Sequence, residues 1–356
     1  MSDKDPQNKP QTFLAPCLLR GDNVTPLSRT PWAGTRIASE YKSALVVPRR
    51  IGESWEVSVE PDFPSMTEEG LRLDELIAAN LEGWLGKHAK THGGLGLLVK
   101  LLDASMALSV QIHPRDDDPA LADDESGKPE CWYILDADEG AGIYLGLAPN
   151  VDLERMRTAL ENDDDVSELL NFVPCQPGDF FVLPPGTPHA VGAGLTLVEP
   201  QRVLPGRRGL TYRYWDHGRR YDGDGNLDPK GDPRTLHVER ALAVTDWEAL
   251  RGEAVVESLR RRLGPANLSG DAEEQSLCGP NAPLSFDYVS AKRLVGTGRL
   301  ELSQTNTCQS LTVLAGVVEI GGVVISAGRS ALLPAMNGEM WSPSLCEAHA
   351  LMAHLP

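Results

Sequence analysis

The sequence predicts a mainly β protein made of two jelly-roll β-barrels with short helical insertions. Frequent Gly and Pro residues (34 and 27) separate short runs rich in Val, Leu and Ile, a pattern typical of antiparallel sheets. The segment LSVQIHP at 108–114 alternates apolar and polar residues, as a half-buried strand does. A third signal is the apolar run FFVL at 180–183, which lies between the turn residues of PGD and PPG.

Four residues of this framework form a candidate metal site. Side chains alternate faces along a strand, so Gln111 and His113 point the same way. Glu130 follows, and then His189, whose spacing from Gly178, Pro184 and Gly186 is that of the second cupin signature. Two imidazoles, one carboxylate and one amide oxygen suit zinc and are tolerated by manganese, iron, cobalt or nickel. The sequence therefore predicts a metal in the mouth of a cupin barrel, with a coordination position left for water or substrate.

The positions of helical periodicity and of Gly- and Pro-rich turns predict two domains. Residues 1–235 would form a catalytic cupin domain with the metal site, with helices at 67–90 and at 151–171, the latter broken at Asp163–Asp165. Residues 236–356 would form a cupin-like domain that begins with a helical stretch at 237–251. There Gly328 and Pro334 repeat the spacing of the signature, but residues 335–337 follow and no histidine occupies the ligand place, so this domain is expected to lack metal.

Composition and charge limit the classes of partner. The 356 residues include 33 Lys+Arg against 51 Asp+Glu, which gives a net charge of −18 and disfavours a nucleic-acid surface. No 18-residue apolar run or signal-peptide layout is present, so we expect no membrane partner and a cytoplasmic location. Six cysteines without a CxxC motif suit reduced thiols. An anionic small-molecule substrate would need a local basic pocket.

Six segments together resemble type I phosphomannose isomerases of the short bacterial form. They are PWAGTRIASEYK at 31–42, IGESWEVS at 51–58, GLLVKLLDASMALSVQIHP at 96–114, GKPECWYIL at 127–135, LLNFVPCQPGDFFVLPPGTPHAVGAG at 169–194 and TYRYWD at 211–216. The resemblance implies one zinc ion per chain, a sugar phosphate substrate and the aldose-ketose isomerisation of mannose 6-phosphate; a monomer is our default expectation. The implied zinc ligands are Gln111, His113, Glu130 and His189.

The resemblance also implies roles for four further residues. Lys128 lines the sugar site, Arg213 belongs to the catalytic pocket, Glu199 is an active-site carboxylate and Ser109 contacts phosphate. Isomerisation moves a proton between C1 and C2 through an enediol, which needs a base and a cation to stabilise the developing oxyanion. Glu199 is the leading candidate for the base. The alternative is a carboxylate at a strand edge that pairs with Arg202 or Arg213.

The segment PQRVLPGRRGLT at 200–211 departs from the family pattern. Its arginines, among them Arg207 and Arg208, could trap a phosphate through bidentate hydrogen bonds, or they could form a solvated loop paired with nearby acids. The exact sugar is therefore left open, and an isomerase of another sugar or sugar phosphate is an alternative. An iron-dependent cupin oxygenase and a non-catalytic sugar-binding cupin are two further alternatives; Gln111 argues against redox iron.

Overall fold

The computed structural model describes residues 14–303, 305–336 and 340–356. Strands dominate it, as the sequence predicts. In chain order they are β1 (Cys17–Leu18), β2 (Glu53–Val57), β3 (Leu97–Ala104), β4 (Val110–Ile112), β5 (Glu125–Ser126), β6 (Glu130–Ala137), β7 (Gly142–Leu147), β8 (Leu170–Pro174), β9 (Asp179–Leu183), β10 (His189–Val191), β11 (Leu195–Arg202), β12 (Arg208–Gly209), β13 (Tyr212–Trp215), β14 (Arg220–Tyr221), β15 (Asp232–Pro233), β16 (Arg260–Arg262), β17 (Glu273–Cys278), β18 (Ser290–Arg299), β19 (Gln309–Ile320), β20 (Val323–Ser326), β21 (Arg329–Leu333) and β22 (Ser344–His354).

The helices are short. They are α1 (Leu73–Ala79), α2 (Leu81–Leu85), α3 (Ala89–His92), α4 (Leu153–Glu161), α5 (Val238–Val244) and α6 (Glu253–Leu259), with a π-helix at Ile37–Tyr41 and 3₁₀ turns at Gly86–His88 and Val166–Leu169. None of the helices in the described part of the chain combines the length and the apolar character that crossing a bilayer requires.

Two helix predictions need correction at their ends. The helix predicted over 67–90 begins only at Leu73, because Thr67 accepts a hydrogen bond from the backbone N–H of Leu71 in a turn and Arg72 is extended. The stretch predicted over 237–251 is helical only to Val244, and α6 was not predicted. The break in 151–171 is confirmed: α4 is capped by Asp152, and the following 3₁₀ turn by Asp165.

Three large sheets carry the fold of the described residues, and β12-β5 and β14-β15 form two small two-stranded sheets. Sheet I has the strand order β16-β9-β6-β11-β3-β2, sheet II the order β13-β4-β10-β7-β8, and sheet III the order β1-β21-β19-β22-β18-β17 with β20 beside β19. His189 begins β10 after the turn that ends β9. Strands β10 and β11 follow one another and are separated by a turn at 192–194.

Sheet I is buried on both faces, and its side chains alternate between two cores. Along β6, Trp132 and Ile134 join the core shared with sheet II, whereas Cys131 and Tyr133 join the core shared with sheet III. The outer face of sheet II packs against α4 and α5. The order of layers is therefore helices, sheet II, sheet I and sheet III.

The predicted division into residues 1–235 and 236–356 stays a proposal. After residue 236, α5 and α6 pack against sheet II, and β16 pairs with β9 in sheet I. Strand β1 pairs with β21 in sheet III. Residues 337–339, where the second half would carry a ligand histidine, lie outside the described residues, as does the start of the first domain up to residue 13.

Candidate metal centre and cavity

Three of the four predicted ligands meet at one buried point. One ligand atom each from His113, Glu130 and His189 lies within 4.8 Å of the other two. His113 Nε2 is 3.0 Å from Glu130 Oε1, and His189 Nε2 is 3.8 Å from Glu130 Oε2. Both Nε2 atoms and Glu130 Oε2 are buried without a hydrogen-bond partner among the described residues. Buried polar atoms normally have partners, so these three convergent atoms without partners fit the donor set of a metal cation.

Both imidazoles present the same nitrogen to this point. His113 Nδ1 is 2.8 Å from the carbonyl of Leu210, and His189 Nδ1 is 2.9 Å from the carbonyl of Thr187. Because a carbonyl can only accept, Nδ1 carries the proton and Nε2 keeps its lone pair. Burial lowers the pKa of His113, and burial together with His113 lowers the pKa of His189 to about 3. Both rings are therefore neutral, as metal ligation requires.

Strand register places the fourth predicted ligand next to the triad. Gln111 in β4 pairs with His189 in β10 on one side and with Arg213 in β13 on the other. Its Oε1 lies 3.5 Å from the hydroxyl of Ser109, which is a weak contact. Gln111 as a metal ligand stays a prediction.

Two side chains hold the Glu130 carboxylate. Gln201 Nε2 donates a hydrogen bond of 2.5 Å to Glu130 Oε1, and Lys128 Nζ is 3.1 Å from the same oxygen. Burial alone would raise the pKa of Glu130, but the neighbouring Lys128 ammonium helps to bring it well below its usual range. Burial alone would lower the pKa of Lys128, but Glu130 and Glu199 raise it. The pair is therefore an ammonium and a carboxylate.

A cavity of about 140 Å³ lies between sheets I and II beside this point. Five of the predicted site residues line it, namely Ser109, Gln111, Lys128, Glu199 and Arg213. It is also lined by charged side chains that sequence reasoning missed, including Arg29, Glu53, Lys100 and Arg234. The local concentration of cations is the basic pocket that an anionic substrate of this acidic protein would need.

Glu199 faces the cavity from the central strand β11. Trp132 Nε1 donates a hydrogen bond of 2.8 Å to Glu199 Oε1. The alternative of a strand-edge carboxylate paired with arginine is wrong, since β11 is an interior strand and Arg202 instead binds Asp116 at 2.5 Å. Burial, and then the neighbouring charge of Glu130, raise the pKa of Glu199 well above its usual value.

Arg213 is a cation of the cavity that has a free hydrogen-bond donor. Its buried Nε has no hydrogen-bond partner among the described residues. Burial and the nearby Arg234 lower the pKa of Arg213, whereas Arg234 itself is held by Asp216 through two hydrogen bonds of 2.6 and 2.7 Å. Arg29 stacks on Phe63 at 4.5 Å from the ring centroid. Arg213 and Arg29 are thus available to an anion.

Arg207 and Arg208 are placed differently. Neither is among the residues that line the cavity. Arg208 is exposed and binds Asp124 at 2.6 Å, and Arg207 donates to the backbone carbonyl of Glu125 at 3.2 Å. This geometry is that of a solvated loop paired with acids, the second of the two alternatives.

Strand alternation could have found two of the missed residues. Trp132 lies two positions after Glu130 on β6, and Gln201 lies two positions after Glu199 on β11, so each shares a face with a predicted site residue. The other missed side chains, Arg29, Lys100 and Arg234, come from segments whose approach to the cavity depends on tertiary packing.

The fold and the site define a mainly β protein with a buried candidate metal centre in a cationic cavity. The model of the type I phosphomannose isomerase catalytic domain matches residues 30–141. A mannose-6-phosphate isomerase from Streptococcus mutans is 34% identical over 286 residues, which are 76% of this chain and 83% of that protein. The chain belongs to the type I phosphomannose isomerase family of enzymes.

Solved structures share the fold. The mannose 6-phosphate isomerase from Bacillus subtilis superposes with a TM-score of 0.72 at 23% identity, and the match covers 96% of this chain and 100% of that one. A mannose 6-phosphate isomerase bound with zinc and yttrium gives a TM-score of 0.67 at 16% identity over 96% of this chain and 100% of that one. The expected mainly β fold class is thereby confirmed.

Proposed function

We propose that this enzyme interconverts mannose 6-phosphate and fructose 6-phosphate with one zinc ion per chain, which Gln111, His113, Glu130 and His189 hold. The observation that carries the proposal is the convergence of two neutral imidazole Nε2 atoms and a carboxylate oxygen beside a cationic cavity. When bound, the ion supplies electrophilic stabilisation for the oxyanion that develops during enolisation. The S. mutans relative carries the name of this activity.

The side chains of the cavity have complementary roles in the proposed reaction. Glu199 takes the proton from C2 of the open-chain sugar and returns it to C1, because its raised pKa makes it a better proton acceptor than a solvated carboxylate. Lys128, an ammonium beside the triad, assists ring opening and stabilises negative charge on the enediolate. Arg213 and Ser109 receive the phosphate group of the substrate, with Arg29 as a third contact.

The experiment that tests the function combines metal analysis with isomerisation. We expect the purified protein to contain zinc in a 1:1 ratio, to lose activity on treatment with a chelator and to regain it with added zinc. Formation of fructose 6-phosphate is followed in a coupled assay, with unphosphorylated mannose and other sugar phosphates alongside. Preference for another sugar would favour the alternative isomerase, and iron with no isomerisation would favour an oxygenase.

Substitution of the arginines separates the two possible phosphate sites. We expect Arg213→Ala to raise KM for mannose 6-phosphate by about tenfold or more, because it removes charge-assisted hydrogen bonds, and to leave KM for free mannose unchanged. The double variant Arg207→Ala with Arg208→Ala is the control, since both side chains lie outside the cavity lining. A selective rise of KM in the double variant would instead assign the phosphate to these two arginines.

A further inference from the structure

The indole of Trp132 joins the proposed base to the metal centre. Its ring packs edge-on against the His189 ring at a centroid distance of 5.3 Å and an interplanar angle of 85°. Its only polar atom, Nε1, donates to Glu199 Oε1 at 2.8 Å. One rigid side chain thus contacts both a candidate ligand and the candidate base.

Strand register explains why these groups meet. Strands β6 and β11 are antiparallel neighbours, and Gln201 stands opposite Glu130. On the cavity face, β6 presents Glu130 and Trp132, and β11 presents Glu199 and Gln201. Two cross-strand hydrogen bonds result, Gln201 to Glu130 and Trp132 to Glu199. Each of them fixes one carboxylate with a neutral donor.

The indole itself has little freedom to move. Trp132 is fully buried, and its ring belongs to the apolar core between sheets I and II, with Leu102, Leu183 and Val191 in the same cluster. A donor held by packing fixes the position of its acceptor, and a base gains rate only when it is held close to productive geometry. Among the described residues Glu199 forms no ion pair within 4.0 Å, and Trp132 Nε1 donates a hydrogen bond directly to its carboxylate.

We propose that Trp132 is a positioning residue that aims the Glu199 carboxylate at the sugar carbon. Trp132 lines the cavity beside Glu199, and in this scheme it acts on the reaction through Glu199. The inference rests on the proposed function, because it assigns Glu199 the proton transfer.

The test uses Trp132→Phe in the full-length, zinc-loaded enzyme, because phenylalanine keeps an aromatic ring beside His189 and lacks the N–H. We expect kcat for mannose 6-phosphate to fall about tenfold, the usual effect of removing a hydrogen bond to a charged group, with KM within about twofold of the parent. Zinc content should be unchanged. Trp341→Phe is the matched control, since Trp341 is buried in the core of sheet III and its Nε1 has no partner among the described residues; it should leave kcat unchanged.

A double-mutant cycle with Glu199→Gln identifies the route of the effect. If Trp132 acts through Glu199, Trp132→Phe should lower kcat by less than about twofold once the carboxylate is gone. Additive losses in the double variant, a parallel rise in KM, or loss of zinc would overturn the proposal in favour of a purely structural tryptophan.

A spectroscopic measurement keeps this test independent of the substrate. With ¹⁵N-labelled tryptophan, the indole resonance that Trp132→Phe removes should shift on Glu199→Gln, while the Trp341 resonance does not. If the chemical shift of the Trp132 indole N–H is unchanged by Glu199→Gln, the hydrogen bond is refuted. If the parent enzyme fails to isomerise mannose 6-phosphate, the proposed function fails, and the indole shift still decides whether the contact exists.

Discussion

His189→Ala is expected to release the metal and abolish isomerisation together. The substitution removes one of two neutral imidazoles and leaves His113, Glu130 and the proposed ligand Gln111 to hold the cation. Mutation of a residue that only hydrogen-bonds to a metal-binding histidine commonly lowers metal affinity by about 10–100-fold. Loss of the ligand itself should therefore weaken zinc binding by more than about a hundredfold. Zinc content after gel filtration and competition with a chromogenic chelator measure the change.

The matched control is His92→Ala, a half-buried histidine outside the cavity lining. It should keep stoichiometric zinc and full activity. Stoichiometric zinc in the His189 variant would reject the metal site, and with it the proposed function.

Glu199→Gln is expected to abolish most of the chemistry and to leave the metal in place. The amide oxygen can still accept the hydrogen bond of Trp132, but the side chain can no longer accept a proton. General base catalysis contributes about 10²–10⁴-fold, and kcat should fall by that range while KM and zinc content change little. Exchange of the C2 proton with deuterated solvent should slow to the same extent.

Asp103→Asn serves as the control for this variant. Asp103 is another buried carboxylate whose pKa burial raises, but it accepts a hydrogen bond of 2.6 Å from the backbone N–H of Arg36 and does not line the cavity. Its kcat per folded molecule should match that of the parent. A Glu199→Gln enzyme with near-parental kcat would assign the proton transfer to another group.

The two histidines of the metal triad could be predicted because local sequence patterns place them, whereas Glu130 as a ligand is what the family resemblance implies. Strand alternation relates Gln111 to His113, and the turns at 184–186 fix where His189 begins its strand. The mainly β fold could be predicted from the Gly and Pro residues that separate short apolar runs. Segment ends were less accurate where a turn competes with a helix, as at Thr67 to Arg72, because local side-chain hydrogen bonds there outweigh helical periodicity.

The phosphate end of the cavity could not be predicted in this way. Arg207 and Arg208 attract notice as an unusual pair in sequence, yet their loop directs them to Asp124 and to a backbone carbonyl. Arg29 and Arg234 have no distinguishing sequence pattern and reach the cavity through packing of distant segments. Which arginine remains without an acidic partner depends on every carboxylate nearby, and that is a property of the folded chain.

Sheet I also has a reverse side. Along the strands of sheet I, a side chain that faces the cavity is followed by one that faces sheet III. Tyr133, next to Trp132 on β6, is an example: its hydroxyl accepts a hydrogen bond of 3.0 Å from Arg293. The C-terminal strands of sheet III therefore pack against the back of the strands that present Glu130 and Glu199. A mutation that changes the packing between sheets I and III can displace either carboxylate by a fraction of an ångström. It can therefore alter kcat although the mutated residue does not contact the sugar.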